Sequence, residues 1–415
     1  MKLGDIANEE AARFGKPLDG IRVLSAEQMQ ALPFATQLLG RLGADVVKVE
    51  HPTRGESGRG STPSIDDPDG RPVGATYLRN NFGKSSIGLD LQSEEGRDLF
   101  LRMVPNFDVV AENFKAGTMH RLGLGPDVIA AANPRAVVVS LSGFGNTLDS
   151  PYRAWPAYAS IVEAMSGIYD YKRAPGDRPT PNPMGAVGDI TSAMFAVVGI
   201  LAALRHREAT GEGQYVDIAM LDCMVALTDL VMNFNSLGIE SEPHPAPFLI
   251  EPIQCSDGFA ILQIVRENQF RGMADVVGHP EWKDDPRFAE RTGWTAHLDA
   301  VLRPAIEEWS RDVTRTQFSD AMSIAGVVTG PVLTSSEIIA DAHLAARDMI
   351  VEMERPDDSG PPVLSPGNPV KLSKVARGPE TRVPWLGEHT DSVLTDELGL
   401  TDAQLMELRA SGVIG

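Results

Sequence analysis

The sequence predicts an α/β protein built on a parallel sheet, accompanied by a smaller α+β domain, and two patterns predict it. In the first half, short β-branched runs alternate with segments of helical period, as expected when successive strands are joined by right-handed crossover helices. From about Ser241 to Gly330 that alternation gives way to a mixed pattern with a strand at Phe259 to Val265.

The elements follow in order. Gly20 to Leu24 reads as a strand, Phe34 to Leu42 as a helix, and Val46 to Val49 as the next strand after the turn Gly43-Ala44-Asp45. Ser86 to Leu91 alternates with period two, Glu94 to Met103 is helical, and Asp108 to Ala111 is a strand. Pro126 to Ala132 is a helix leading into Ala136 to Leu141, a continuous apolar run suited to a strand buried on both faces. A long helix, Ile190 to Arg207, runs through the turn Thr210 to Gly213 into a strand at Tyr215 to Ile218 and a further helix. Proline and glycine are dense from Pro356 to Pro384, which favours extended segments, and Ala403 to Leu408 is a closing helix. The loop Ser57 to Gly74, rich in Ser, Asp, Pro and Gly, is expected to be a mobile surface insertion.

Composition narrows the function. The 415 residues carry 37 Lys and Arg against 57 Asp and Glu, a formal net charge of −20, whose long-range field repels phosphate and argues against a nucleic-acid or anionic-membrane binder. Two cysteines, Cys223 and Cys255, are too few for a disulfide framework, so a reducing, cytoplasmic setting is expected. Met1 to Gly15 is interrupted by charge and does not read as a signal peptide. The longest uncharged helical stretch, Ile190 to Leu204, falls short of the roughly 20 residues a bilayer requires.

Gly188-Asp189 precedes that long helix. An Asp there is a natural N-cap, worth about 1 kcal/mol. It is also a carboxylate held where helix N–H groups stabilise negative charge, and a carboxylate can be a covalent nucleophile. Gly188 would let a bulky substrate come close to the backbone. Gln30 follows the first strand, and ligands gather at the carboxyl ends of strands in such sheets, although a loop glutamine needs no function. Gly123-Leu124-Gly125 and Gly143-Phe144-Gly145 lack the third glycine of a dinucleotide fingerprint and read as turns. The histidines show no metal-like spacing, His389 reads as a helix start, and Met184 and Met194 read as core filler.

Several stretches taken together resemble the class III CoA-transferases, the superfamily of formyl-CoA transferase and carnitine CoA-transferase. They are Pro17 to Leu24, Leu42 to Glu50, Asp108 to Phe114, Gly199 to Leu204, Thr210 to Ile218, Gly330-Pro331-Val332 and Leu386 to Asp391, in order from Pro17 to the C-terminus. The resemblance implies a large Rossmann-like domain made of residues 1–225 and the returning segment 331–415, a small α+β domain of residues 241–330, and two ring-shaped subunits interlocked as a homodimer. It implies no permanent cofactor or metal, with an acyl-CoA and a small carboxylic acid as substrates and neither nucleic acid nor membrane as partner.

Residue by residue, Asp189 falls on the family's catalytic aspartate, which attacks the thioester carbonyl. Gln30 falls beside the reacting carbonyl, and Met29 and Ala31 neighbour it. Leu89, Asn113, Phe114, Arg121 and Leu122 fall on CoA-contacting positions. Three departures stand out: Leu32 replaces a glycine and is expected to reshape the pocket; His51 replaces an arginine near the CoA phosphates, leaving Arg54 or Arg59 to compensate; and no glycine-run loop occurs between His244 and Gln263, so transfer to oxalate is not supported. Two competitors share the fold. An α-methylacyl-CoA racemase needs a second acid/base group where this chain has Tyr158, whose ordinary pKa of about 10 suits that role poorly. A catalytically silent acyl-CoA binder has no need of the Asp189 carboxylate.

Overall fold

The computed structural model describes the whole chain except Leu148, Lys172, Pro175, Asp229, Leu230, residues 239–247 and residues 357–359. The boundary expected at Ser241, and His244 with the start of the interval it opens, lie outside the described residues.

Six strands form one sheet: β1 (Arg22–Ala26), β2 (Asp45–Glu50), β3 (Ser85–Gly88), β4 (Val109–Glu112), β5 (Val137–Ser142) and β6 (Gln214–Ala219). Every neighbouring pair is parallel and the order is β3-β2-β1-β4-β5-β6. The chain walks outward from β1 to β3, then returns to the other side of β1 with β4. That reversal opens a crevice at the carboxyl ends of β1 and β4, where open α/β sheets bind ligands.

Strand alternation sends neighbouring residues to opposite faces. Val23, Val109, Val137 and Val139 meet α1 (Ala31–Arg41) and, later in the chain, α5 (Val187–Thr210), through Leu32, Leu39, Ala196 and Ile200. Leu24, Val110 and Val138 turn the other way, onto α2 (Glu94–Met103) and α3 (Pro126–Ala132) through Phe100, Met103 and Ile129. The C-terminal segment completes this second face with Leu394, Leu405 and Leu408. It also covers the β3 edge. The His389 N–H donates to the Ser86 carbonyl at 2.9 Å, and the Thr390 hydroxyl oxygen accepts the Gly88 N–H at 2.9 Å. His389 is thus the start of the helix Thr390–Leu398.

The chain forms two compact units: Met1–Tyr171, Arg178–Glu240 and Ala342–Gly415 make the first, Lys172–Asp177 and Ser241–Asp341 the second. The second unit has its own antiparallel sheet of β7 (Leu249–Cys255), β8 (Gly258–Ile264) and β9 (Val328–Pro331), in the order β9-β8-β7. Phe270, Trp294, Ile306 and Phe318 pack beneath it.

Three expectations change. Residues 57–74 form a structured element rather than a mobile insertion: a 3-10 turn (Ser57–Gly60) and a hairpin (Ser64–Asp66 with Pro72–Gly74), with Ile65 and Val73 buried against Tyr77 and Val351. Its Ser and Asp side chains are mostly exposed, and the element is ordered by the few that turn inward, Arg59, Ile65, Asp67 and Val73. Helix α5 has 24 residues, starts at Val187 rather than Ile190, and ends on left-handed Gly211. It is therefore long and apolar enough to cross a membrane by length and composition. One face is nevertheless buried in the core, and the opposite face, with Met194, Phe195, Val198 and Leu201, is exposed. Met184 is also exposed rather than core filler.

The residues holding the 57–74 element are charged. Arg59 donates twice to the Glu50 carboxylate, at 2.7 Å each, and to the Tyr77 hydroxyl at 2.6 Å, with all three side chains buried. The pair keeps the Glu50 carboxyl down at about 2 despite its burial. Breaking a buried pair leaves an uncompensated charge, at a cost of about 3–5 kcal/mol. Arg59→Met is expected to lower the unfolding free energy measured by urea titration by that order, and an unchanged value would contradict a Glu50 charge that depends on Arg59.

Candidate active site

The crevice predicted by the strand order is a cleft of about 210 Å³ lined by Gln30, Asn113, Phe114, Arg153, Tyr158 and Asp189, among others. Its rim after β1 is held from below. Glu27, Glu56, Lys48 and Lys84 are all buried; Lys84 Nζ lies 2.7 Å from Glu27 and Lys48 Nζ lies 3.3 Å from Glu56. The second oxygen of Glu56 accepts the Met29 N–H at 2.9 Å, and Met29 adopts φ 62°, a left-handed conformation unusual for a residue with a side chain. The ion pair thus fixes the turn that carries Gln28 to Ala31 into helix α1.

A second tie crosses the crevice. The Gln28 N–H donates to Asn113 Oδ1 at 2.8 Å, and Asn113 Nδ2 donates to the Gln28 carbonyl at 2.9 Å. The Asn113 amide is committed to joining the loops after β1 and β4. Next to it, the Phe114 N–H donates to the Glu112 carboxyl at 2.8 Å, and burial pushes that carboxyl up to about 7. Gln30 stands at the start of α1, and its side-chain amide has no hydrogen-bond partner among the described residues.

Asp189 enters the cleft from the first turn of α5. It is not the N-cap. That position is Ala186, which offers no side-chain cap, and the Gly188 N–H is satisfied instead by Glu163 Oε1 at 3.0 Å, from α4 (Ala159–Met165). Gly188 also has a different use from the one expected. A Cβ there would sit 3.0 Å from Ala159 Cα and Val162 Cγ2, so the glycine lets α5 pack against α4, and it is not among the residues lining the cleft. Burial, and then the charge of Glu163, push the Asp189 carboxyl up to about 6.

Of the other predicted residues, Met29, Ala31, Asn113 and Phe114 line the same cleft as Asp189 and Gln30. Arg121 and Leu122 lie outside that lining. Arg121 is exposed on the short helix Thr118–Arg121 and donates to the Thr118 hydroxyl at 2.7 Å, while Leu122 packs against the sheet's second face. Leu89 is only 2 % exposed and its backbone bridges Ile414, so its side chain belongs to the core. Leu32 is fully buried in the other core face and does not narrow the cleft. Arg59, locked onto Glu50, is unavailable to a phosphate, whereas Arg54 is exposed. The sequence reading missed Glu163, Glu56, Lys115 and Arg153. Lys115 and Arg153 line the cleft, and neither makes an ion pair among the described residues. No local sequence pattern marks either of them. Among the described residues no group of three His, Cys, Asp or Glu is placed to hold a metal ion.

The model of CoA-transferase family III matches residues 18–390. The chain belongs to that family. The succinyl-CoA–D-citramalate CoA-transferase of Chloroflexus aurantiacus is 36 % identical over 412 residues, covering 96 % of this chain and 98 % of that protein. The succinyl-CoA–L-malate CoA-transferase beta subunit of the same organism is 32 % identical over 405 residues, covering 96 % and 98 %. A crystal structure of a CAIB/BAIF family protein from Brucella suis aligns with TM-score 0.80 at 31 % identity, covering 92 % of this chain and 99 % of that one. The protein is accordingly an enzyme of the CoA-transferase class, whose substrates are CoA thioesters.

The raised Asp189 carboxyl makes the transferase's stability depend on pH. An acid lifted from 3.8 to about 6 on folding binds more protons folded than unfolded between those values. Stability is therefore highest, as far as this group is concerned, below about pH 4, falls as pH rises toward about 6, and above that carries a constant penalty of about 3 kcal/mol. Asp189→Asn is expected to raise the unfolding midpoint at pH 7.5 and leave it unchanged at pH 4. A lowered midpoint at pH 7.5 would contradict an unfavourably held carboxylate.

Proposed function

We propose that this transferase moves CoA from a short dicarboxylic acyl-CoA, of the succinyl type, to a small carboxylic acid through covalent intermediates on Asp189. The observation that carries the reading is a half-buried carboxylate of raised basicity in a cleft with the unpartnered amide of Gln30. Asp189 attacks the thioester carbonyl, the Gln30 amide donates to the oxyanion that develops, and the C–S bond breaks to give an acyl-aspartyl anhydride and CoA thiolate. The thiolate attacks the aspartyl carbonyl, releasing the donor acid and leaving an aspartyl-CoA thioester. The acceptor carboxylate repeats the sequence in reverse: it displaces the thiolate to form a new anhydride, and the thiolate then takes the acceptor acyl group and restores the carboxylate.

Both substrates are anions approaching a chain of net charge −20, so binding needs local cations. Lys115 and Arg153 supply them in the cleft, and they suit a CoA phosphate or the second carboxylate of a dicarboxylic substrate. The relatives named for succinyl-CoA with D-citramalate or L-malate support substrates of that size and charge. Arg121 and Leu122, at the end of the short helix that follows β4, extend the CoA site; Leu89 is left out of it.

The reading includes an interlocked homodimer in which the unit around residues 241–341 is a small domain inserted in the larger one. The exposed apolar face of α5, with Val198 63 % exposed, supports a second copy as its cover. Two buried free thiols, Cys223 and Cys255, support a cytoplasmic setting.

Asp189→Ala is expected to lower transfer from succinyl-CoA by at least about 10³-fold while the dissociation constant for CoA stays within a few-fold of wild type. Turnover near the wild-type rate in this variant would remove Asp189 as the nucleophile.

A further inference from the structure

The buried glutamates at the carboxyl ends of β1 and β2 each have a cation within 4 Å: Glu27 has Lys84, Glu50 has Arg59 and Glu56 has Lys48. Glu163 does not follow that rule. It is 1 % exposed on α4, and among the described residues no Lys or Arg pairs with it. Its partners are the Gly188 N–H, donating to Oε1 at 3.0 Å, and the Tyr169 hydroxyl, donating to Oε2 in a short bond. Both are donors to its two carboxyl oxygens. Two carboxylates therefore share the N-terminus of α5: Glu163, held by the Gly188 amide, and Asp189, the next residue, facing the cleft.

We propose that Glu163 is a positioning and charge-tuning residue that favours covalent capture, because its negative charge opposes an ionised Asp189 and that opposition disappears once Asp189 is acylated. The inference rests on Asp189 being the nucleophile. Like charges close together in a water-poor site repel, and the anhydride and thioester forms of Asp189 are neutral. The repulsion raises the basicity of the attacking oxygen, and its relief on acylation lowers the energy of both intermediates relative to the free carboxylate. The Gly188 bond adds a geometric role, since it fixes the first turn of α5 without using the Asp189 side chain.

Other charged or titratable groups face this site from each neighbouring element. Tyr169 follows α4, Tyr158 and Arg153 precede it, Lys115 lies after β4, and Cys223, on α6 (Met220–Leu227), meets Ser192 in the first turns of α5. Among them Glu163 is the one whose charge lifts the Asp189 carboxyl, second to burial itself.

The test compares wild type with Glu163→Gln, which keeps an acceptor for the Gly188 N–H and removes the charge, and with Glu163→Asp, which keeps the charge. Two quantities are read: the acid limb of kcat/KM against pH, and the fraction of protein carrying a CoA-sized adduct at Asp189 by mass spectrometry at saturating succinyl-CoA. In Glu163→Gln the acid limb is expected to move down by about one pH unit and the ratio of adduct to free enzyme to fall about tenfold. Glu163→Asp is expected to keep a limb close to wild type, which a purely structural role would not produce. An acid limb and adduct ratio in Glu163→Gln that match wild type would overturn the inference while leaving Asp189 as nucleophile. Wild-type protein with no adduct would remove the nucleophile and this inference together. Should Glu163→Gln fail to fold, an acid limb in Glu163→Asp displaced downward by a full unit would overturn it.

Discussion

Three glutamates and three cations are out of water at the carboxyl ends of β1 and β2, and the shape of the cleft depends on how they neutralise one another. Glu27 with Lys84, Glu56 with Lys48, and Glu50 with Arg59 replace hydration with ion pairs and hydrogen bonds. Such pairs add little net stability over an apolar core, yet they cannot be broken singly without leaving a buried charge. They therefore act as constraints on geometry. Glu56 also takes the Met29 N–H and so holds a left-handed turn; Gln28 and Asn113 then tie that turn to the loop after β4. The position of Gln30 relative to the crevice follows from these bonds.

Asp189 reaches the same crevice from the opposite direction. Helix α5 is anchored by an apolar face against the sheet, and its first turn is set by the close approach of Gly188 to Ala159 and by the Glu163 bond. The helix N-terminus and the cleft's partial exclusion of water pull the carboxylate in opposite directions, and burial prevails. A carboxylate kept less stable than in water is better suited to attack a carbonyl, at a cost in folding stability that the cores on both faces of the sheet offset.

Much of this was legible in the sequence. Helices 94–103 and 126–132 and the strands around Val23, Val47, Val110 and Val138 follow from local periodicity, which survives folding because each element buries its own apolar stripe. Asp189 and Gln30 were legible too, by their place beside recognisable elements. The rest depends on partners distant in sequence. Glu163 lies 25 residues from the amide it satisfies, so the start of α5 was read three residues late and the capping role went to Asp189. Arg59 reads as a surface arginine in a polar loop until Glu50 and Tyr77 enclose it, and Leu89, which falls on a CoA-contacting position of the family, is covered where Ile414 returns to it. Lys115 and Arg153 carry no local pattern at all; the sheet brings them to one opening.

The central claim is that an oxygen of Asp189 is exchanged during transfer, and isotope labelling tests it most directly. Each turnover of the proposed sequence expels one Asp189 oxygen with the donor acid and leaves one acceptor oxygen behind when the second anhydride is cleaved. A single turnover with acceptor acid labelled with ¹⁸O in its carboxylate, followed by peptide mapping, should therefore find one heavy oxygen in the side chain of Asp189 and one unlabelled enzyme oxygen in the released donor acid. Label that passes from acceptor to donor acid, with Asp189 unlabelled, would contradict a covalent role for this residue.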